Sequence, residues 1–229
     1  SSIIPTFQGV RLYGLQQKQI FVQYNDFDYC YHGIRTSGNG LLNQYKINNN
    51  VYNYSVLMQE MSEKTFFSMV PNSIVGNPGT VQCNNNTVTS VKNFYGIEIH
   101  SVNNAQILNN TIQNTTNDPQ DYFIGVFLGG NCSNYDVESN NVTGPGQNNP
   151  NTTNFALNNS TGLSFCNYSA NANVGIQKFG DCFPSNVYSN HINNQTIGYY
   201  MNYGSIVGLQ DNHQNQWHNN PYSSDGAFF

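Results

Sequence analysis

Apolar and polar residues alternate along this chain in runs of four or five, and small polar residues separate the runs. The clearest stretch is residues 96–112, GIEIHSVNNAQILNNTI. It reads as strand GIEIH, turn SVNN, strand AQIL, turn NN and a short strand opening on TI. Each run alternates with period two, as half-buried strands do. The runs are too short for helices, and Asn and Gly mark the turns between them. The same unit recurs. Its opener is a glycine followed by an apolar residue, at Gly9-Val10, Gly33-Ile34, Gly96-Ile97, Gly125-Val126, Gly175-Ile176 and Gly198-Tyr199. Its close is an asparagine two residues before an apolar anchor, at Asn25/Phe27, Asn49/Val51, Asn86/Val88, Asn110/Ile112, Asn140/Val142 and Asn190/Ile192, with a last copy at Asn212/Gln214. The asparagines lie 24, 37, 24, 30, 50 and 22 residues apart, so the longest gap is about two of the shortest steps. A period in the twenties predicts a solenoid.

One rung of two or three short strands cannot bury its own apolar face, and stacking rungs in parallel makes a continuous core. The expected architecture is one all-β domain over residues 1–229, a parallel β-helix solenoid of seven or eight rungs. The anchor asparagines then stack at about 4.8 Å, the spacing of paired strands. An amide carries both donor and acceptor and can bond from rung to rung, whereas a column of Asp would stack like charges. Residues 61–80 and 144–160 break the pattern and are expected as loop insertions, and 215–229 as a non-repeat tail.

Composition fits this reading. Asparagine supplies 41 of the 229 residues while only 8% are charged, so polarity comes from the ladder and turn residue. An Asn-rich, charge-poor chain can also be a disordered tract, but 14% aromatic content with regular apolar spacing argues against that. A net charge of −5 with seven Lys and Arg leaves no basic stripe for nucleic acid. No apolar run is long enough for a transmembrane helix. The first residues show no signal-peptide pattern, so such a peptide is expected to be absent or removed. Five scattered cysteines show no metal spacing, and their odd number prevents complete internal pairing.

The openers Gly33-Ile34 and Gly96-Ile97-Glu98-Ile99, with the close Ile107-Leu108-Asn109-Asn110-Thr111-Ile112, resemble the repeats of right-handed parallel β-helix proteins of the pectin-lyase-like kind. The resemblance runs from about residue 9 to 214. It implies a secreted or cell-surface location and a polysaccharide or surface-protein partner. Members include lyases, polygalacturonases, tailspikes and adhesins. The Asn-rich, Lys-poor composition is also similar to exported surface proteins of the Bacteroidetes.

Function has to sit on the outside of the strands. With the second opener residue inward, the third and fifth face out. The third positions are Arg11, Arg35, Leu57, Glu98, Phe127, Gln177 and Tyr200, and Tyr13 and His100 are fifth positions. The chain's two arginines thus fall on one column of adjacent rungs. Like charges there repel unless an anion lies between them, and an acidic sugar suits, since Arg pairs bidentately with carboxylates. Arg11, Arg35, Tyr13, Phe127 and Tyr200 are the expected ligand-binding residues, the aromatics stacking on sugar rings. Catalysis has less behind it. Glycoside hydrolysis needs an acid and a base brought together, and no two of the twelve acids share a strand-face column of adjacent rungs. Glu98 and His100 form the best acid/base pair. Asp118 and Asp121, in one turn, could ligate Ca2+, but no metal or other cofactor is expected. Exposed rung ends would call for a cap, so the chain is expected to be part of a longer protein, or capped by a partner in a larger complex. The favoured expectation is a non-catalytic glycan- or partner-binding component of an extracellular assembly. The alternative is a polysaccharide lyase or glycoside hydrolase.

Overall fold

The computed structural model describes residues 6–13, 19–37, 44–54, 64–69, 80–116, 118–202, 204–206, 214–218 and 227–228. Among these there is no helix. The strands stack in parallel into three sheets of nine, seven and eight. The chain visits the first, second and third sheet in turn, as in Phe94–His100, Ala105–Leu108 and Thr111–Asn114, then re-enters the first at Phe123–Gly129. The result is a parallel β-helix. The seven strands of the second sheet are joined by about six turns of chain, slightly fewer than the seven or eight rungs expected.

The openers align as the pattern implies. Val10, Ile34, Phe67, Ile97, Val126, Phe155, Ile176 and Tyr199 form one register column of the first sheet. The preceding column explains the glycine. Pairing runs Tyr95↔Ile124 and then Ile97↔Val126, skipping Gly96 and Gly125. Alternation breaks there, with Gly96 and Ile97 both buried. A Cβ on Gly96 would stand 2.3 Å from the Gly125 carbonyl oxygen. The glycine is therefore needed for close backbone approach.

The asparagine column is real but shifted in places. It consists of Asn25, Asn50, Asn86, Asn110, Asn140, Asn167, Asn190 and Asn215. In each interior member Oδ1 accepts two bonds from the preceding rung's asparagine, and Nδ2 donates to the next rung's asparagine and to a backbone carbonyl. Asn110 shows the arrangement. Its Oδ1 accepts from the Asn86 N–H and Nδ2, both at 2.9 Å, while its Nδ2 donates to Asn140 Oδ1 at 2.9 Å and to the Cys83 carbonyl at 2.7 Å. All four side-chain bonds of the amide are made. Asp has no donor for two of them.

Asn49 was expected in the column and is not there. It sits one residue early in the Asn48-Asn49-Asn50 run, with φ 58°, and Val51 is exposed while Tyr52 is buried. The residue before every ladder asparagine has a left-handed backbone, from Tyr24 (φ 58°) to Gln214 (φ 46°). An Asn-Asn pair thus divides two tasks. The first turns the corner, as Asn tolerates, and the second joins the column. Asn167, preceded by Cys166, fills the long gap that held no expected copy. Asn212 lies outside the described residues, and Asn215 takes its rung.

The loop expected over 61–80 contains a strand of the first sheet, Lys64–Met69, paired on both sides. The one expected over 144–160 contains another, Thr152–Asn158. Both were hidden because Phe66 and Asn154 stand where the other openers have glycine. The tail also joins the repeat, through Gln216–His218 in the third sheet and Ala227–Phe228 in the first.

The interior is lined by Ile, Val, Phe and Tyr, including Tyr45, Tyr52, Phe94 and Phe155. Two lysines are buried in it. Lys64 Nζ lies 5.1 Å from the centre of the Tyr54 ring and 5.7 Å from that of Tyr31, a cation–π arrangement. Lys178 Nζ donates to the Tyr135 hydroxyl at 3.0 Å. All five cysteines are free thiols; four are buried and Cys166 is exposed.

Candidate functional site

The outer face of the first sheet carries the richest side-chain chemistry. Its third-position column runs Arg11, Arg35, Ser68, Glu98, Phe127, Ala156, Gln177 and Tyr200. Ser68 occupies the place expected for Leu57, which lies outside the described residues. Arg11 and Arg35 are direct register partners. Neither has a hydrogen bond or ion pair among the described residues. Arg11 lies 5.9 Å from the centre of the exposed Tyr13 ring. Phe127 adjoins Glu98 and packs against His100 (5.2 Å between ring centres) and Tyr95 (6.2 Å). Tyr200 stands three rungs beyond Phe127, about 14 Å away at the usual strand spacing. Phe127 in turn stands three rungs from Arg35, so the expected ligand-binding residues divide into Arg11, Tyr13 and Arg35 at one end, Phe127 midway and Tyr200 beyond.

Glu98 stands between Ser68 and Phe127 on this column. Ser68 Oγ donates to its Oε2 at 2.8 Å, and the His100 ring nitrogen Nε2 contacts Oε1 at 3.0 Å. Burial pushes the Glu98 carboxyl up, but the hydrogen bonds from His100 and Ser68, with the charges of His100 and Arg35, hold it below its ordinary value. It is a carboxylate at neutral pH. On the neighbouring column His32 contacts Thr65 Oγ1 through Nδ1 at 2.6 Å. Burial first, and then the Arg35 charge, lower the His32 pKa to about 4 against the opposing pull of Glu98.

This geometry limits the chemistry. Ser68 and His100 both bond to Glu98 and not to each other, so the nucleophile–base contact of a hydrolytic triad is missing. Glu98 is the sole carboxylate in the described first-sheet strands, so the two-carboxylate arrangement of glycoside hydrolysis is missing there as well. The described residues hold no cluster of metal-ligating side chains. Asp118 and Asp121 serve separate ends: the buried Asp121 carboxylate accepts from Thr116 Oγ1, while Asp118 Oδ1 accepts from the Gln120 N–H. Sequence reasoning missed Ser68, Thr65 and His32. The alternation in KTFFSM was the available signal for the first two.

His32 predicts a pH effect. Its folded pKa lies below the unfolded value near 6.5, so between about 6.5 and about 4 the unfolded chain binds more protons. Stability therefore falls as pH drops through that window. The loss is roughly 1–2 kcal/mol once solvent screening of a half-buried ring is allowed for. Urea unfolding at a series of pH values should show this slope, and His32→Gln should flatten it. An unchanged slope in the variant overturns the assignment.

Compared with family models, with curated proteins and with solved structures, the chain matches none. The β-helix architecture rests on the stacked sheets themselves.

Proposed function

We propose that this β-helix is a secreted or cell-surface protein that binds an acidic glycan, without catalysis, on the Arg11/Arg35 end of the first sheet. The observation that carries the reading is the register pairing of two arginines, neither in direct ion-pair contact with a carboxylate among the described residues, since Glu98 acts on Arg35 only from two rungs away. Stacked at about 4.8 Å, they repel each other unless an anion bridges them. A uronate carboxylate fits, since each guanidinium can hold a carboxylate bidentately. Exposed Tyr13 beside Arg11 and half-buried Phe127 beyond Glu98 offer ring surface for sugar C–H faces. The pectin-lyase-like and Bacteroidetes-type resemblances agree with a glycan-facing role outside the cell, as an adhesin-like or scaffold component of a larger assembly.

The second reading, a polysaccharide lyase or hydrolase, draws on Glu98 and His100 in contact on that face. Incubation with polyuronate tests both. Wild type should be retained on the immobilised polymer, and Arg11→Ala with Arg35→Ala should abolish retention. The ultraviolet absorbance of an unsaturated uronate and the reducing-end count should not rise. Unchanged retention by the double variant removes the arginine site. An increase in unsaturated product or reducing ends establishes the enzyme instead.

A further inference from the structure

A cavity of about 340 Å³ lies on another side of the solenoid, where the chain passes from the third sheet back to the first. Among the described residues this corner is short at 91–93, 171–173 and 194–196. In two adjacent rungs it runs instead over residues 115–122 and 144–151. The space between these two loops, closed by Asn194, is the cavity. Its lining includes Asp118, Pro119, Pro145, Gln147, Asn148 and Asn194.

The walls are fixed by hydrogen bonds. Buried Asn149 ties the loops together by donating from Nδ2 to the carbonyls of Asp121 (2.9 Å) and Asp118 (3.2 Å). Thr116 Oγ1 donates to Asp121 Oδ2 at 2.5 Å. The second loop is held from below, where Thr196 Oγ1 donates to the Gln147 carbonyl at 2.8 Å and the Gly146 N–H donates to the Asn171 carbonyl at 2.8 Å. Asn194 Nδ2 is held by Asn171 Oδ1 at 2.6 Å. A preformed wall of this kind lowers the ordering cost of binding.

The side chains left over are those a ligand would meet. Gln147 lines the cavity with its Oε1 shut off from solvent, so its amide Nε2, which has no hydrogen-bond partner among the described residues, is the atom a ligand can reach. The Asn148 amide is exposed and makes no side-chain bond among the described residues. Asp118 supplies the one charged group of the lining, and no Lys or Arg is present to receive an anion. Pro119 and Pro145 present apolar ring faces. Amides that both donate and accept, one carboxylate able to take two hydroxyls, and apolar faces for C–H groups together suit a neutral polyol ring. The volume is at the small end for ligand pockets, which suits one or two such rings.

We propose that this cavity is a binding site for a neutral pyranose unit. Gln147 Nε2 donates to a ligand hydroxyl oxygen, a pair of ligand hydroxyls donates to Asp118, and the proline faces carry the ring. The site shares no residue with the arginine column and does not depend on the acidic-glycan reading.

The test is titration of the whole chain with neutral methyl pyranosides of differing hydroxyl stereochemistry, followed by NMR of the side-chain amides. Expected is a saturable shift of the Gln147, Asn148 and Asn194 amides with at least one stereoisomer, at roughly millimolar ligand. Gln147→Ala should weaken it by about tenfold, the worth of one well-placed hydrogen bond. Asn148→Ala, at an exposed position with no structural bond, is the second variant and should weaken it too. Arg11→Ala with Arg35→Ala should leave it unchanged, which separates this site from the acidic-glycan one. The proposal is overturned if no pyranoside shifts these amides, if both pocket variants bind like wild type, or if the shifts appear with calcium alone.

Discussion

Asn110→Ala should destabilise the protein by about 3–5 kcal/mol, among the largest effects a single change can have. The substitution removes the Oδ1 that accepts from the Asn86 N–H and Nδ2, and the Nδ2 that donates to the Cys83 carbonyl. Three groups shielded from water lose a partner together, each at about 1–3 kcal/mol. Asn110→Asp should be no milder, because it cannot donate and adds a buried charge. The neighbour supplies the control. Asn109 has φ 57° and serves as the corner, so Asn109→Gly should change stability by no more than about 0.5 kcal/mol. Asn50→Ala and Asn49→Gly should repeat the contrast one residue apart, which tests the register of that rung. Urea unfolding of the five variants measures it. A cost under about 1 kcal/mol for Asn110→Ala would show that the column is not what holds the rungs.

Lys178→Met should have the opposite sign. Lys178 is wholly buried, on an inward column whose other members are Leu12, Thr36, Met69, Ile99, Leu128, Leu157 and Met201. Burial lowers its pKa to about 8, with the Cys182 thiol acting weakly the other way. Below pH 8 both folded and unfolded chains carry the charge, and the folded one bears the full cost of desolvating it. Between about 8 and 10.5 the folded lysine is neutral while the unfolded one still holds its proton, so wild type gains stability as pH rises. Above that range the penalty is gone. Methionine has similar length and already occupies two places in the column. Lys178→Met should therefore stabilise by about 2–3 kcal/mol at pH 7, and the gain should shrink toward zero near pH 10.5. The Tyr135 hydroxyl keeps a hydrogen bond with Ser185 in the variant. Unfolding curves at pH 7 and pH 10 decide the matter, and a destabilised variant at pH 7 would mean that the ammonium–tyrosine contact outweighs the burial cost.

These two residues mark the limits of what could be read along the chain. Asn110 was legible because its signal is local. A corner residue, a ladder residue and an inward anchor come in fixed order, and period two leaves little freedom between them. The same signal slipped by one at Asn48-Asn49-Asn50, where three identical residues offer three registers and only the buried face selects one. It was absent at Asn167, where Cys166 takes the corner and Ser169, in place of a large apolar residue, is the buried anchor. Lys178 is the fourth residue of the Gly175-Ile176 opener, so period two already puts it inward, but nothing local shows that a closed core receives a lysine there.

The candidate site divides in the same way. Arg11 and Arg35 share a spacing to their openers, so their column followed from counting. Ser68 did not, because Phe66 replaces the glycine that announces a strand. The Gln147 cavity depends on two loops that are 29 residues apart at Thr116 and Pro145 and on Asn194 farther along. Nothing local relates them.

Short-range periodicity along the chain carries the stacked all-β solenoid, the asparagine column and the pairing of the two arginines, because parallel stacking copies it from rung to rung. Contacts between rungs select which asparagine of a run enters the column, put Lys64 inside, join Ser68 and His100 to Glu98, and enclose a polar cavity between two long corners. Those outcomes depend on which residues of different rungs meet, and on the water excluded when they do.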